Sequence, residues 1–494
     1  MKELSVLDKP VELVERDVEW ENLVRFATKL DAGAALGLVY GRRRQGKTFM
    51  LELLAEATGG LMFTASEQYG PGNLEALSQA YRDFVQTGEP VRFADWEEAI
   101  DALMRLGERG DKPVLVVLDE FPHLLLDQPA LPSLIQIAMS PRSRAMRQSR
   151  TRLILCGSAL TTMRKLLGGS APLRGRATLE LAVAPLGYRE AAQFWGLAGN
   201  PDLAFRVNAL AGGTPAYLAM SDGPVKSERD FVPWVLRGLL NPASAMFREG
   251  NILLQEQPEV TDAALYFSVL QAIATGAARR SEIAVRLGRP DSALAHPLTV
   301  LEEIRLAEKV EDGLVERRPI YRLTEPVIRL HHLLMRRHEP QLVALGGRDV
   351  WLSHQDTVEA KIYGPHFEDI AREWTLKYAP PDLLGWPNQV RPAVIACMEH
   401  GHSHEIDVVA TIDVAYEPKR IVALGEAKGT SSPVGVAELI RLDHLRGLIP
   451  QDKLASEVKL LLFGRAGFSV ELRKQAAARS EVELVDISRL YAGA

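Results

Sequence analysis

Cysteine is nearly missing from this chain. Its two occurrences, Cys156 and Cys397, each lie in an apolar run that reads as a strand or a strand edge. That placement argues against a disulfide framework and against a cysteine-based zinc site. Long apolar runs are missing too, since none approaches the roughly 20 residues that a bilayer-crossing helix needs. The opening residues, MKELSVLDKPVELVERD, mix both charge signs around no continuous apolar core and do not form a secretory signal. The expected location is cytoplasmic, with no membrane partner. An excess of positive charge is also lacking. A formal net charge of -6 argues against a surface coated for nucleic acid, although a local basic groove is compatible with an acidic average.

What remains is an ordinary globular composition, 47% hydrophobic and 25% charged. The 494 residues exceed what one growing core accommodates, so about three domains are expected. Strand-like runs at 35–40, 61–64, 114–118 and 153–156 alternate with amphipathic stretches, the pattern of a parallel α/β sheet. Their unbroken apolarity implies burial on both faces. Residues 188–196 and 201–211 read as short helices of a small lid, closed by a turn at 212–215. Helices at 263–275, 280–287 and 291–304, then strands at 307–310 and 320–323 around a charged turn, follow the order of a winged helix-turn-helix. A basic helix near 327–338 carries His331 and His332, read as structural, and 346–353 looks like a linker. Beyond it come a helix (364–378), strands (390–397, 405–412, 420–427), a helix (434–448), a strand (458–463) and a helix (470–478). The expected domains are 1–223, 224–345 and 346–494.

Gly41-Arg42-Arg43-Arg44-Gln45-Gly46-Lys47-Thr48 fits G-x-x-x-x-G-K-[ST] at every position, between a strand-like run and a helix-like segment. In that setting backbone N–H groups of the loop and of the helix N-terminus surround phosphate oxygens. Lys47 reaches the β- and γ-phosphates of ATP, and the Thr48 hydroxyl ligates Mg²⁺. Downstream, a buried strand ends in Asp119-Glu120. Asp119 holds the magnesium and Glu120 is placed to activate the attacking water. Ser158, after the fourth strand, is a candidate sensor of the γ-phosphate or of that water, or else a turn serine.

The segments GRRRQGKT, VLVVLDEFPHL, LILCGSA, APLRGRATLEL, PLGYREAAQF and GGTPAYL, in this order, resemble the archaeal-type prokaryotic ATPases, P-loop NTPases related to the AAA+ and STAND groups. The resemblance spans most of residues 10–220. It implies a nucleotide-driven switch with a moving lid, an arginine near the γ-phosphate that is either Arg174 or Arg176, and contact from the Gly213-Thr214-Pro215 turn, with Pro215 at its end. An arginine acting in trans would make the protein a homo-oligomer.

For the winged helix-turn-helix, DNA is the partner the module suggests, with 291–304 as the helix for the major groove. That helix carries Asp291, Glu302 and Glu303, whereas Arg279, Arg280, Arg286 and Arg289 precede it. DNA contact and a purely structural role both stay open.

In the last third, strand alternation puts Glu426 and Lys428 on one face, and an antiparallel neighbour brings Asp407 beside them. Glu368, on a preceding helix, adds a further carboxylate. Carboxylates that hold Mg²⁺, with a lysine to orient water, are what metal-assisted phosphodiester hydrolysis requires. The segments GPHFEDIAREW, EIDVVA, LGEAK and LLFGRAGFSVEL resemble the PD-(D/E)xK nuclease superfamily and the C-terminal domain joined to many archaeal-type ATPases. A restriction-endonuclease-like α/β domain is therefore expected, without the superfamily's proline beside Asp407. His400, His402 and His404 alternate on one side of a strand, which suggests a zinc site, but no cysteine partners them and Gly401 and Ser403 suggest a turn, so a solvated hairpin tip is preferred over a metal role. Three functions follow: an ATP-gated DNA nuclease, an ATP-driven DNA-binding scaffold with a silent nuclease fold, and a switch that captures another protein.

Overall fold

The computed structural model describes residues 7–493, apart from 69–70, 89, 109, 258–259, 261 and 316–318. The first six residues of the opening segment, and the middle of the charged turn before residue 320, therefore lie outside the described residues. The chain forms two compact units, residues 1–185 and 186–494.

In the first unit five strands form a parallel sheet: β1 (Ala35–Tyr40), β2 (Leu61–Thr64), β3 (Val114–Asp119), β4 (Thr151–Gly157) and β5 (Ala177–Ala182). Their order is β2-β3-β4-β1-β5. Alternate residues feed two cores. Leu36, Leu38, Val116, Leu118, Leu153 and Leu155 face the helices Trp96–Arg105 and Leu131–Ala138. Val39, Leu115, Val117, Ile154 and Cys156 face the helices Asp17–Thr28 and Lys47–Thr58. Burial on both faces is why these strands are apolar without alternation. β5 is absent from the sequence expectation. It lies at the sheet edge with no fully buried residue, so its Ala-Thr-Leu-Glu-Leu-Ala composition carries no continuous apolar signal.

In the second unit one apolar core runs from Leu186 to Tyr491. It joins the helices Tyr188–Phe194 and Pro201–Ala211 to the helices Ala263–Ala274, Arg280–Leu287 and Ala295–Glu303 and to the antiparallel pair β6 (Ala307–Val310) and β7 (Ile320–Leu323). The helix expected from residue 291 begins instead with a 3₁₀ turn, Asp291–Leu294. The α-helix starts at Ala295, which places Pro297 in the first turn, where a missing N–H costs nothing. The expected linker is also corrected. Arg348–Ser353 is a helix, because Val350 and Trp351 are buried.

The C-terminal sheet has the order β12-β11-β10-β9-β8, from β8 (Gln389–Cys397), β9 (His402–Ile412), β10 (Arg420–Lys428), β11 (Leu454–Gly464) and β12 (Val482–Asp486). β8, β9 and β10 are antiparallel neighbours, whereas β10, β11 and β12 run parallel. The helix Gly364–Lys377 covers one face; Val436–Leu448 and Val470–Ala477 cover the other. No helix among the described residues is long and apolar enough to cross a membrane.

Candidate nucleotide and carboxylate sites

A strand buried on both faces offers polar side chains mainly at its ends, and in the first unit one group of them lies at the carboxyl ends. β4 lies between β1 and β3, so the loop after β1, Asp119 at the end of β3 and Ser158 after β4 come together. The loop conformation depends on glycine twice. Gly46 has φ +83°, and a Cβ on Gly41 would stand 2.3 Å from the Val183 carbonyl oxygen.

Lys47 is buried and donates its Nζ to the Arg42 carbonyl at 2.9 Å. Burial lowers its pKa against the opposing pull of Cys156, Glu120 and Asp119. Thr48 donates its hydroxyl to Asp119 Oδ2 at 2.8 Å, and Asp119 Oδ1 accepts the Glu120 N–H at 2.9 Å. Ser158 Oγ lies 3.1 Å from Glu120 Oε2. Burial, with the Asp119 carboxylate next, pushes the Cys156 thiol well up. Thr48 and Asp119 already face each other, and the Lys47 ammonium sits inside its own loop, so these residues fit a magnesium-bound nucleotide phosphate. Arg42 and Gln45 are buried in the loop, while Arg43 and Arg44 are more accessible and Arg44 has φ +68°.

Arg16, which carries no motif signal, braces the loop. Its buried guanidinium donates to the Gln45 carbonyl at 3.3 Å and to that of Ala184 at 2.7 Å. Arg174 is exposed and donates to the Gly169 carbonyl at 2.7 Å, and Arg176 donates to the Pro172 carbonyl at 3.1 Å. Both thus bond to their own loop. Pro215 belongs to the second unit, in the turn after helix Pro201–Ala211, where the Leu186 N–H donates to the Gly213 carbonyl at 2.8 Å.

In the second unit a register shift sets the carboxylate site. Arg391 pairs with Val409 and Ala393 with Ile406, so Asp407 and Val408 together oppose Pro392, which has no N–H to give. This β-bulge re-aims Asp407. Its carbonyl accepts from Arg372 at 2.8 Å, and its Oδ2 accepts the Ala427 N–H at 2.8 Å. Glu426 is buried; its Oε1 accepts from Lys428 at 2.7 Å, and its Oε2 pairs with Arg441. Glu368 Oε2 pairs with Arg322 of β7 at 3.2 Å. Arg322 and Arg441 were not singled out by sequence, because each comes from a separate element outside any local motif; Arg372 lies in GPHFEDIAREW but carries no signal of its own there.

The charges are unevenly compensated. Burial alone would raise Asp369, yet the guanidinium groups of Arg322, Arg372 and Arg329 hold it down to about 2. Burial raises Glu368. Burial, then the Glu368 and Glu426 carboxylates, push Asp407 up to about 7. Lys428 is raised because Glu426, Glu438 and Asp407 outweigh its burial. Asp407 and Glu368 open into a cleft of ≈ 480 Å³, together with Arg322, Arg329 and Ser403. A divalent cation fits the electrostatics of Asp407, while Arg322 and Arg441 compete for the other two carboxylates.

No family model matches the chain. An uncharacterized protein of Methanocaldococcus jannaschii is 28% identical over 291 residues, which are 58% of this chain and 61% of that protein's length. Among solved structures, a Walker-type ATPase of Pyrococcus abyssi aligns with a TM-score of 0.50 at 19% identity, over 65% of this chain and 96% of its own. The ORC2 protein of Aeropyrum pernix, solved as ADPNP–ADP complexes, aligns with a TM-score of 0.43 at 17% identity, over 69% of this chain and 99% of its own. The first of these structural likenesses establishes a shared multidomain α/β fold around the five-stranded parallel sheet.

Because Asp407 titrates higher in the folded chain than its ordinary 3.8, its contribution to stability is full below that value and is lost as pH rises towards about 7. Without divalent cations, raising the pH from about 5.5 to about 8 should cost the wild type roughly 2 kcal/mol more than it costs Asp407→Asn. Denaturant midpoints of the two proteins at both pH values measure this. Identical pH slopes would show that the Asp407 carboxyl ionises normally.

Proposed function

We propose that this chain is an ATP-hydrolysing switch whose second unit carries a nucleic-acid-directed site. The observation that carries the ATPase reading is the meeting of Lys47, Thr48, Asp119, Glu120 and Ser158 at adjacent strand ends. On nucleotide binding Lys47 exchanges the Arg42 carbonyl for the β- and γ-phosphates, and the N–H groups at the start of helix Lys47–Thr58 face the same oxygens. Thr48 and Asp119 would hold a bound Mg²⁺, which would neutralise phosphate charge. Glu120 orients the attacking water and takes its proton, with Ser158 fixing the carboxylate. Of the two arginine candidates, exposed Arg174 suits delivery to a neighbouring subunit, and half-buried Arg176 suits its own.

For the second unit, Asp407, Glu426 and Glu368 act as the carboxylates and Lys428 orients water for phosphodiester hydrolysis. The closeness of Lys428 to Glu426 and the rise in Asp407 support this reading. A second reading, a silent site on a DNA-binding scaffold, is favoured by one observation. Arg322 and Arg441 already pair with Glu368 and Glu426, which keeps those carboxylates from a cation. The helix pair and the β6–β7 hairpin form the winged-helix candidate for DNA, although the outward residues of helix Ala295–Glu303 include His296 and Thr299 and no Lys or Arg.

Lys47→Ala should abolish ATP binding, whereas Glu120→Gln should keep binding and lose about 10²- to 10⁴-fold in turnover. Phosphate release and nucleotide titration measure the two effects, and unchanged turnover in Glu120→Gln would remove Glu120 from its role. If an arginine acts in trans, ATPase rate per subunit rises with protein concentration and falls in Arg174→Ala. A flat rate in a monomer rejects that assignment.

Cleavage of single- and double-stranded DNA with Mg²⁺ or Mn²⁺ should vanish in Asp407→Ala and change in Lys47→Ala. Arg322→Ala should raise it if the ion pair holds Glu368 back. DNA binding without cleavage in all of these proteins would establish the scaffold reading.

A further inference from the structure

His400, His402 and His404 read in sequence as a solvated tip without a cysteine partner; the fold supplies both a cysteine and a further histidine. Cys397, buried, ends β8; His400 lies in the turn; His404 is the third residue of β9; and His444 comes from helix Val436–Leu448, forty residues on. Cys397 Sγ stands 3.3 Å from His400 Nδ1 and 3.3 Å from His444 Nε2, and His400 Nδ1 is 3.1 Å from His404 Nε2. All four donor atoms lie within 4.8 Å of one another. Zinc bonds of about 2.0–2.1 Å to nitrogen and about 2.3 Å to sulfur, set tetrahedrally, give ligand edges of about 3.3 Å (N to N) and about 3.6 Å (S to N). The observed contacts are close to those edges.

Hydrogen bonding accounts for this cluster less well. His400 Nδ1 faces both Cys397 and His404 with one proton or one lone pair, so it serves one of the two contacts and strains the other. A cation at the centre uses every lone pair at once.

We propose that Cys397, His400, His404 and His444 bind one structural Zn²⁺. A thiolate with three imidazoles in tetrahedral spacing selects zinc over the hard cations, and four protein ligands leave no position for substrate. Binding converts the Cys397 thiol to thiolate and releases its proton to solvent. His402 stands outside the set, because its Nδ1 bonds the His400 carbonyl at 2.9 Å. The other ring nitrogen of His444, Nδ1, lies 3.8 Å from Glu399 Oε2, within a small side-chain movement of the carboxylate–imidazole hydrogen bond that orients a metal-bound histidine.

The ion would clip the β8–β9 hairpin to helix Val436–Leu448. One turn before His444, Arg441 pairs with Glu426 and donates to the Glu405 carbonyl at 2.6 Å, and Glu438 lies 3.7 Å from Lys428. Zinc thereby fixes both elements that frame the carboxylate site, and this role does not rest on cleavage.

Untagged full-length protein, loaded with zinc and dialysed, should retain one zinc per chain by elemental analysis. Loaded with Co²⁺, the wild type should show a thiolate-to-cobalt charge-transfer band and intense tetrahedral d–d bands. Cys397→Ser and His444→Ala should lose the bound metal and the charge-transfer band, His402→Ala should keep both, and Glu399→Gln should bind about tenfold more weakly. Wild-type protein that retains neither metal, or a tetrahedral sulfur signal that survives in Cys397→Ser, or equal loss in His402→Ala, overturns the proposal. The cobalt spectrum is read on the wild type, so misfolding of a variant does not remove the test.

Discussion

Covering both faces of a parallel sheet leaves its strands no lateral outlet for polar chemistry. Leu36, Val39, Leu115, Val116, Ile154 and Leu155 are all essentially inaccessible, and a charge among them would go unsolvated. Polar groups therefore gather where the strands end and helices begin. There, Lys47, Thr48 and Asp119 are deeply placed yet satisfied, by the Arg42 carbonyl, by each other and by the Glu120 N–H. The strand order decides the rest. With β4 inserted between β1 and β3, Ser158 can reach Glu120 while Asp119 still reaches Thr48.

The C-terminal sheet obeys the same constraint by another route. It too is covered on both faces, yet Asp407 lies within β9 rather than at its end. A bulge opposite Pro392 makes room for it, and Arg372 satisfies the carbonyl that the disrupted ladder leaves over. Around it, Arg322, Arg329 and Arg372 face Glu368 and Asp369, and their pull overcomes burial at Asp369 but not at Glu368. Removing one partner from such a network costs more than the pair contributes, since it strands the other charge.

Sequence reveals these sites in proportion to their locality. The Gly41–Thr48 loop is contiguous, and Asp119-Glu120 ends a run whose apolarity is unmistakable, so sequence could place these residues together at the strand ends, where the fold has them. Glu426 and Lys428 were legible as a pair because strand alternation places them. The bulge at Asp407 was not, since it depends on which residue of β8 stands opposite. Arg16, Arg322 and Arg441 reach their partners across 29 to 168 residues or from separate elements and leave no periodic trace. The same holds for His444, whose distance from Cys397 hid the cysteine partner of the hairpin histidines. The edge strands β5 and β12 were missed for a different reason: they contain too few buried residues to stand out from a loop.

The two sites are perturbed in opposite directions by one cause. Burial, the largest cause at both, depresses the Lys47 ammonium against the pull of Cys156, Glu120 and Asp119 and raises the Asp407 carboxyl against the Ala427 N–H and Arg372, so each ionised form is disfavoured. An anion arriving at Lys47, or a cation arriving at Asp407, restores the charged state and recovers the desolvation cost. Asp369 shows the opposite balance: Arg322, Arg372 and Arg329 overcome its burial and hold it down to about 2. Neighbouring Asp369 and Asp407 thus differ in compensation: arginines offset the burial of the first, whereas the Glu368 and Glu426 carboxylates add to the burial of the second.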